Sequence, residues 1–208
     1  RDLHSFPTRR SSDLNLYLNP AVTIGLLVND IAQGKPAMDF GTVMAYLGGQ
    51  FVGSLIGAFL CWVAYKQHFD EEPDQAAKLA VFCTAPAIRN PLFNLLTEII
   101  GTFVLVFVVI ASGLYTTNTK GDAVNLGWLG AFGVALLIVV IGTGLGGPTG
   151  YAINPTRDLC PRIMHAILPI KGKGDSDWSY SWVPVVGPMI GGLLGGLLAA
   201  PLLVFPLQ

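Results

Sequence analysis

Two stretches of the sequence decide the fold: LNPAVTIG at residues 18–25 and GPTGYAINPTRDLCPR at residues 147–162. Each contains an Asn-Pro pair. Proline lacks an N–H and has a backbone angle close to the helical value, so it favours the first position of a helix, and the preceding asparagine is available as the cap. Asn19 and Asn154 therefore predict the starts of two short helices. Two apolar segments follow these pairs, residues 21–28 and 163–170, and both are too short to cross a membrane. Segments of about ten apolar residues are typically re-entrant or buried.

Long stretches without charged residues indicate the remaining helices. Of the 208 residues, 52% are hydrophobic and only 12% are charged, against roughly 25% charged in a soluble domain. An ionised side chain at the centre of a bilayer costs several kcal/mol, and about 20 apolar residues are needed to cross it. Four windows are free of charge except for Glu98 and predict four membrane-spanning helices: residues 40–65, 92–114, 123–156 and 179–208.

The composition also excludes several classes of protein. A formal net charge of -1 provides no basic surplus for nucleic acid, so nucleic-acid binding is not expected. The three cysteines form no C-x-x-C pair, and the acidic cluster at residues 68–74 indicates a solvated loop, so neither a metal nor a cofactor is expected. No G-x-S-x-G or H-E-x-x-H motif indicates an enzyme. Because Glu98 is the only ionisable residue within a span, passive diffusion is favoured over ion-coupled transport.

The two halves of the chain share one pattern, in which an Asn-Pro helix is followed by a span with glycines at a spacing of four. The glycines are Gly49, Gly53 and Gly57 in one half and Gly187, Gly191 and Gly195 in the other. This spacing places each set on one helix face, where another helix can approach closely. The pattern predicts an inverted repeat whose half-helices meet near the midplane of the membrane.

The repeat suggests a division of the chain into three parts. Residues 15–66 would be a partial first repeat of one half-helix and one span. Residues 90–208 would be a complete second repeat of two spans, a half-helix and a span. Residues 1–14, RDLHSFPTRRSSDL, are polar and without helical periodicity, and they are interpreted as a non-native leader. A disordered cytoplasmic tail is the alternative.

The sequence resembles the major intrinsic protein family, the aquaporins and glycerol facilitators. The resemblance rests on the two Asn-Pro boxes and extends through TEIIGTFVLVF at residues 97–107 and WVPVVGPMIGGLLGG at residues 182–196. It implies an all-α membrane protein with an aquaporin-like inverted repeat, here with four transmembrane helices and two re-entrant half-helices, the first two spans being missing. It also implies a multi-pass protein of the plasma (inner) membrane, and a homotetramer of independent pores in the full-length parent.

The resemblance assigns roles to individual residues. The residues of the pore and its selectivity are Asn19 and Asn154 at the centre, Arg157, Tyr151 and Gly142 at the outer constriction, and Asp158, which matches the glycerol-conducting branch. Glu98 corresponds to a structural brace for the half-helix loop. Thr156 stands where the second box of the family has alanine.

From sequence alone, three of these residues also have interpretations that involve no role in a pore. Arg157 is alternatively a loop charge at the headgroups, paired with Asp158. Tyr151 is alternatively an aromatic residue of the interfacial belt, and Glu98 a carboxylate that reaches the interface.

The function implied by the resemblance is a passive channel for glycerol and related small uncharged solutes, and for water, across a lipid bilayer, with exclusion of ions and protons. Two alternatives stay open: a water-selective aquaporin, and a truncated fragment that conducts nothing.

Overall fold

The computed structural model describes residues 17–114 and 128–203, so the expected leader at 1–14 lies outside the described residues. Within this part the chain forms eight α-helices and is all-helical. In chain order they are α1 (Pro20–Ala32), α2 (Phe40–Ala64), α3 (Lys66–Glu71), α4 (Gln75–Phe82), α5 (Pro91–Leu114), α6 (Trp128–Thr149), α7 (Pro155–Ile167) and α8 (Val183–Leu203).

The four expected spans correspond to the four longest helices. Three of them, α2, α5 and α6, have the length and apolar composition to cross a membrane. The fourth, α8, has 21 residues, about 30 Å at 1.5 Å per residue, and its apolar part Val183–Ala199 is shorter. The uncharged window at 123–156 is longer than its helix, because α6 ends at Thr149 and an irregular segment follows.

The two Asn-Pro pairs begin the two short helices, as the sequence predicts. Helices α1 and α7 have 13 residues each, with proline in the first turn and the preceding asparagine as N-cap. Thirteen residues give a length of about 20 Å, which is too short to cross the hydrocarbon core. The helix α7 begins at Pro155 and ends at Ile167, so it ends before the apolar run at 163–170 does.

Glycines allow α8 to lie directly on two other helices. A Cβ added to Gly191 would lie 2.4 Å from the carbonyl oxygen of Ile99 on α5, and one added to Gly187 would lie 2.6 Å from the Cβ of Glu98. A Cβ on Gly196 would lie 2.2 Å from the carbonyl oxygen of Gly25 on α1. No side chain fits at these positions, so α8 is in close backbone contact with α1 and α5.

The glycines of α2 behave differently. A Cβ added to Gly49, Gly53 or Gly57 would meet nothing within 4 Å in the part of the chain that the structure describes. Their face of α2 is exposed. The helix instead contacts α7 through Ala58, which packs in one apolar cluster with Met164.

The segment between α2 and α5 contains structure that the sequence did not indicate. It forms the short helices α3 and α4 where a solvated loop was expected. Phe69 of α3 and Phe82 of α4 are buried against each other and against Met164 of α7. This cluster covers the C-terminal half of α7.

Candidate functional site

The N-termini of α1 and α7 meet at one cavity of about 300 Å³. Four of the residues assigned to the pore from sequence line it: Asn19, Tyr151, Asn154 and Arg157. The other residues that line it are apolar: Leu18, Val22, Leu105, Val109, Ala131, Val134, Ala135, Ile138, Ala152 and Ile153. The cavity therefore combines a few polar side chains with a predominantly hydrocarbon surface.

Each asparagine is hydrogen-bonded to the loop of the other. The Nδ2 of Asn19 donates to the carbonyl oxygen of Ile153 at 2.7 Å. The Nδ2 of Asn154 donates to the carbonyl oxygen of Leu18 at 3.1 Å. Each accepting carbonyl belongs to the residue immediately before the other asparagine, so the two boxes bond in a symmetric pair. A carboxamide nitrogen carries two N–H donors, so within the described residues one N–H of each asparagine remains for a molecule in the cavity.

The oxygen of each carboxamide caps its own helix. The Oδ1 of Asn19 accepts from the backbone N–H of Ala21, and the Oδ1 of Asn154 accepts from those of Thr156 and Arg157. The unpaired N–H groups and aligned peptide dipoles give each helix N-terminus roughly half a positive charge. Two such ends at one cavity make its centre unfavourable for cations.

The loop before Asn154 has an unusual backbone. Gly150, Tyr151 and Ile153 have φ angles of 75°, 42° and 42°, in the left-handed region that is sparsely populated by residues other than glycine. This conformation turns the carbonyl of Ile153 toward Asn19. Such a loop persists only when its surroundings hold it in place.

Glu98 on α5 holds this loop. Its carboxylate accepts hydrogen bonds from the Thr149 hydroxyl at 2.7 Å, the Ala152 N–H at 3.0 Å and the Ile153 N–H at 2.7 Å. Only 1% of Glu98 is exposed, so the interpretation in which its carboxylate reaches the interface is wrong. Buried carboxylates are tolerated only when hydrogen-bonded in this way.

Tyr151 is positioned by two glycines of α6. A Cβ added to Gly142 would lie 3.1 Å from the ring, and one added to Gly146 would lie 3.2 Å from it. Gly142 was expected here from the resemblance, whereas Gly146 was not. Its position one helical turn after Gly142 is the signal that would have indicated it.

Arg157 lies next to this ring. Its guanidinium carbon is 6.0 Å from the ring centroid of Tyr151, at the outer limit of a cation–π contact. The side chain is exposed, and in the described residues its guanidinium makes no hydrogen bond or ion pair. Its five N–H donors therefore remain available at the cavity.

Asp158 does not line the cavity, contrary to the expectation from sequence. It is fully buried on another face of α7, where its carboxylate pairs with Arg162 at 2.8 Å and accepts from the backbone N–H of Thr84 at 2.7 Å. The alternative pairing with Arg157 is also wrong. Successive residues in a helix point about 100° apart, whereas residues four apart share a face.

The pair of Asp158 and Arg162 joins α7 to two connecting segments. The guanidinium of Arg162 donates to the carbonyl oxygens of Thr84, Ser176 and Asp177. A buried ion pair is stable only when its remaining donors and acceptors are satisfied, and these carbonyls satisfy them. The network holds α7 in place through residues that do not line the cavity.

Comparison with known proteins gives a consistent result. The sequence profile of the family described as Major intrinsic protein matches residues 16–199. The chain is 48% identical over 171 residues to the "Glycerol uptake facilitator protein" of Streptococcus pneumoniae serotype 4, and 51% identical over 171 residues to the "Probable glycerol uptake facilitator protein" of Thermotoga maritima. Both alignments cover 82% of this chain and 67% of the relative.

The fold is also similar to a solved structure. The X-ray structure of the aquaglyceroporin from Plasmodium falciparum superimposes with a TM-score of 0.69 at 27% sequence identity. The superposition covers 90% of this chain and 74% of the other.

Proposed function

The chain belongs to the major intrinsic protein family, and on that premise we propose that the complete protein is a passive channel for glycerol and related small uncharged solutes, and for water, that excludes ions and protons. The chain is accordingly an integral membrane protein and not an enzyme. The observation that carries the proposal is that Asn19 and Asn154, from separate half-helices, line one cavity and are bonded to each other's loops.

The free N–H groups of the two asparagines give the mechanism of selection. Both donate to the oxygen of a solute between them, which occupies its lone pairs and turns its hydrogens away along the pathway. A chain of water molecules is thereby interrupted as a route for protons. The positive ends of α1 and α7 add a barrier to cations, as is general in aquaporin-type pores.

The mixed lining of the cavity suits a polyol better than water alone. The hydroxyls of glycerol contact the polar side chains, where the guanidinium of Arg157 donates to successive oxygens. Its C–H groups face Val22, Leu105 and the small residues of α6. Gly142 and Gly146 set Tyr151 back against α6, which widens the opening for a solute with a carbon backbone. The names of the relatives support the same solute class.

We assign the remaining architecture by the same reasoning. Residues 15–66 and 90–208 belong to two repeats, since each half-helix packs on the glycine-containing span of the other repeat, α1 on α8 and α7 on α2. The protein is placed in the plasma membrane, surrounded by lipid, as a homotetramer of independent pores. The chain spans 67% of the length of the two named relatives.

The test is solute flux into vesicles that contain the complete protein. Swelling in a glycerol gradient, followed by light scattering, is expected to be faster than in empty vesicles and independent of a pH gradient. The variant Asn154→Leu, which removes the donors at similar volume, is expected to abolish the glycerol flux. The control is Asn29→Leu, because Asn29 is a buried asparagine that lies outside the cavity.

Three outcomes would contradict the proposal in different ways. Rapid water flux without glycerol flux would favour the water-selective alternative. Absence of both would mean that the protein does not conduct. Undiminished glycerol flux in Asn154→Leu would show that the solute takes another path.

A further inference from the structure

The two asparagines at the cavity are held unequally. In the described part of the chain, the Oδ1 of Asn19 accepts one hydrogen bond, from the Ala21 N–H at 2.9 Å. The Oδ1 of Asn154 accepts three, from the Thr156 N–H at 3.1 Å, the Thr156 hydroxyl at 3.0 Å and the Arg157 N–H at 3.3 Å. Two bonds therefore distinguish Asn154 from Asn19, one from the Arg157 N–H and one from the Thr156 hydroxyl, and only the hydroxyl comes from a side chain.

This difference follows from the sequence. Ala21 and Thr156 occupy the same place, two residues after the asparagine. Thr156 is buried, with 7% of its surface exposed, so its hydroxyl needs a protein partner, and Asn154 supplies it.

A second hydroxyl reinforces the same helix start. Ser54 on α2 donates to the carbonyl oxygen of Thr156 at 2.8 Å. Its counterpart in the other repeat is Gly192, since Ser54 follows Gly53 and Gly192 follows Gly191 in the two sets of glycines spaced by four. Gly192 lies against the carbonyl of Ala21, and a Cβ added to it would be 2.5 Å from that oxygen. Ser54 and Thr156 are thus bonded to each other on one side of the cavity only.

Fixing the oxygen of a carboxamide also fixes its nitrogen, because the group is planar. The χ2 torsion of asparagine is broad and roughly two-fold, so the direction of the Nδ2 is set by its hydrogen bonds. In Asn154 one N–H donates to Leu18 while three donors hold the oxygen. The second N–H of Asn154, a residue that lines the cavity, is therefore held in a single direction.

We propose that Thr156 is a positioning residue of the pathway, whose hydroxyl fixes the Asn154 carboxamide as the rigid donor while Asn19 is the more adaptable one. This inference rests on the proposed function for its effect on flux. The competing explanation is that the hydroxyl only stabilises the start of α7, as serine and threonine do at many helix N-termini. In that case its loss lowers stability and leaves permeation per folded channel unchanged.

The test compares Thr156→Val, which keeps the shape and removes the hydroxyl, with Thr156→Ser, which keeps the hydroxyl. Thr156→Ala replaces Thr156→Val if the latter fails to fold. We expect glycerol flux per folded channel to fall roughly threefold to tenfold in Thr156→Val, from the net contribution of one buried hydrogen bond, and to be retained in Thr156→Ser. The matched control is Thr102→Val, because Thr102 is fully buried and its hydroxyl has no partner in the described residues.

A second measurement reports on the asparagine itself. In protein labelled with ¹⁵N at asparagine, the side-chain amide of Asn154 is expected to become more mobile in Thr156→Val and to be unchanged in Thr156→Ser and Thr102→Val. Equal flux and equal Asn154 mobility in wild type and Thr156→Val would overturn the proposal. If the wild type passes no glycerol, the proposed function fails, but the amide measurement still decides the role of Thr156. Increased mobility of the Asn154 amide in Thr156→Val supports that role, and unchanged mobility overturns it.

Discussion

Replacing Glu98 by glutamine is expected to disorder the loop that presents Asn154. The carboxylate accepts from Thr149 and Ala152 at one oxygen and from Ile153 at the other. Glutamine offers one oxygen and one NH₂ group in the same space. If the amide oxygen keeps the first two donors, the NH₂ group faces the N–H of Ile153, and two donors then oppose each other.

The cost can be worked out from these contacts. A hydrogen bond to a charged group contributes about 1.5–3 kcal/mol, and an unsatisfied buried N–H costs about 1–3 kcal/mol. The two retained bonds also become neutral and weaker. We therefore expect Glu98→Gln to lower the free energy of unfolding by about 2–4 kcal/mol, with a loss of glycerol flux, because the left-handed backbone at Tyr151 and Ile153 relaxes when its acceptor is lost.

The assays are thermal unfolding in detergent and glycerol flux in vesicles. Thr149→Val provides a graded control, since it removes one donor and leaves the carboxylate with both backbone N–H groups. Its effect is expected to be about 1 kcal/mol and smaller than that of Glu98→Gln. Wild-type unfolding and wild-type flux in Glu98→Gln would refute the idea that this carboxylate holds the loop.

Three further predictions concern helix packing, the width of the pathway and pH. Gly196→Ala places a Cβ 2.2 Å from a backbone oxygen and is expected to lower the free energy of unfolding in detergent by about 1–3 kcal/mol or more. Exposed Gly144 has nothing within 4 Å in the described residues, so Gly144→Ala should not lower it. Equal losses of stability in the two variants would contradict the packing. Gly142→Val pushes the aromatic ring into the opening and should reduce glycerol flux more than water flux in the same vesicles, and equal reductions would count against a role in width. Burial raises the pKa of Asp177, but hydrogen bonds from Arg89 and Ser179 outweigh this effect and leave the pKa below its usual value. The stabilisation of the fold by the Asp177 carboxylate is therefore present at neutral pH and is lost as the pH falls below about 4. The difference in unfolding temperature between wild type and Asp177→Asn should disappear below that pH, and its persistence would contradict the ion pair.

Much of the fold follows from local features of the sequence. Proline after asparagine starts both half-helices, because a single dipeptide satisfies the first turn of a helix without help from the rest of the chain. The absence of charge predicts the long helices for a similarly simple reason, the cost of an ion in hydrocarbon. Glu98 could be singled out because it violates that rule.

Other features depend on segments that are distant in sequence. Asp158 was assigned to the pore because it matches the glycerol-conducting branch of the family, yet its partners include Thr84, 74 residues away. The helices α3 and α4 were missed because each is shorter than three turns and becomes stable by packing Phe69 and Phe82 under α7. No local pattern reports such contacts.

The central claim is that the two half-helices present their asparagines to the same solute molecule. The most direct test is a structure of the complete protein determined in the presence of glycerol. The account predicts one solute oxygen within about 3.2 Å of both the Asn19 Nδ2 and the Asn154 Nδ2. Glycerol bound along a path that avoids one of the two amides would contradict it.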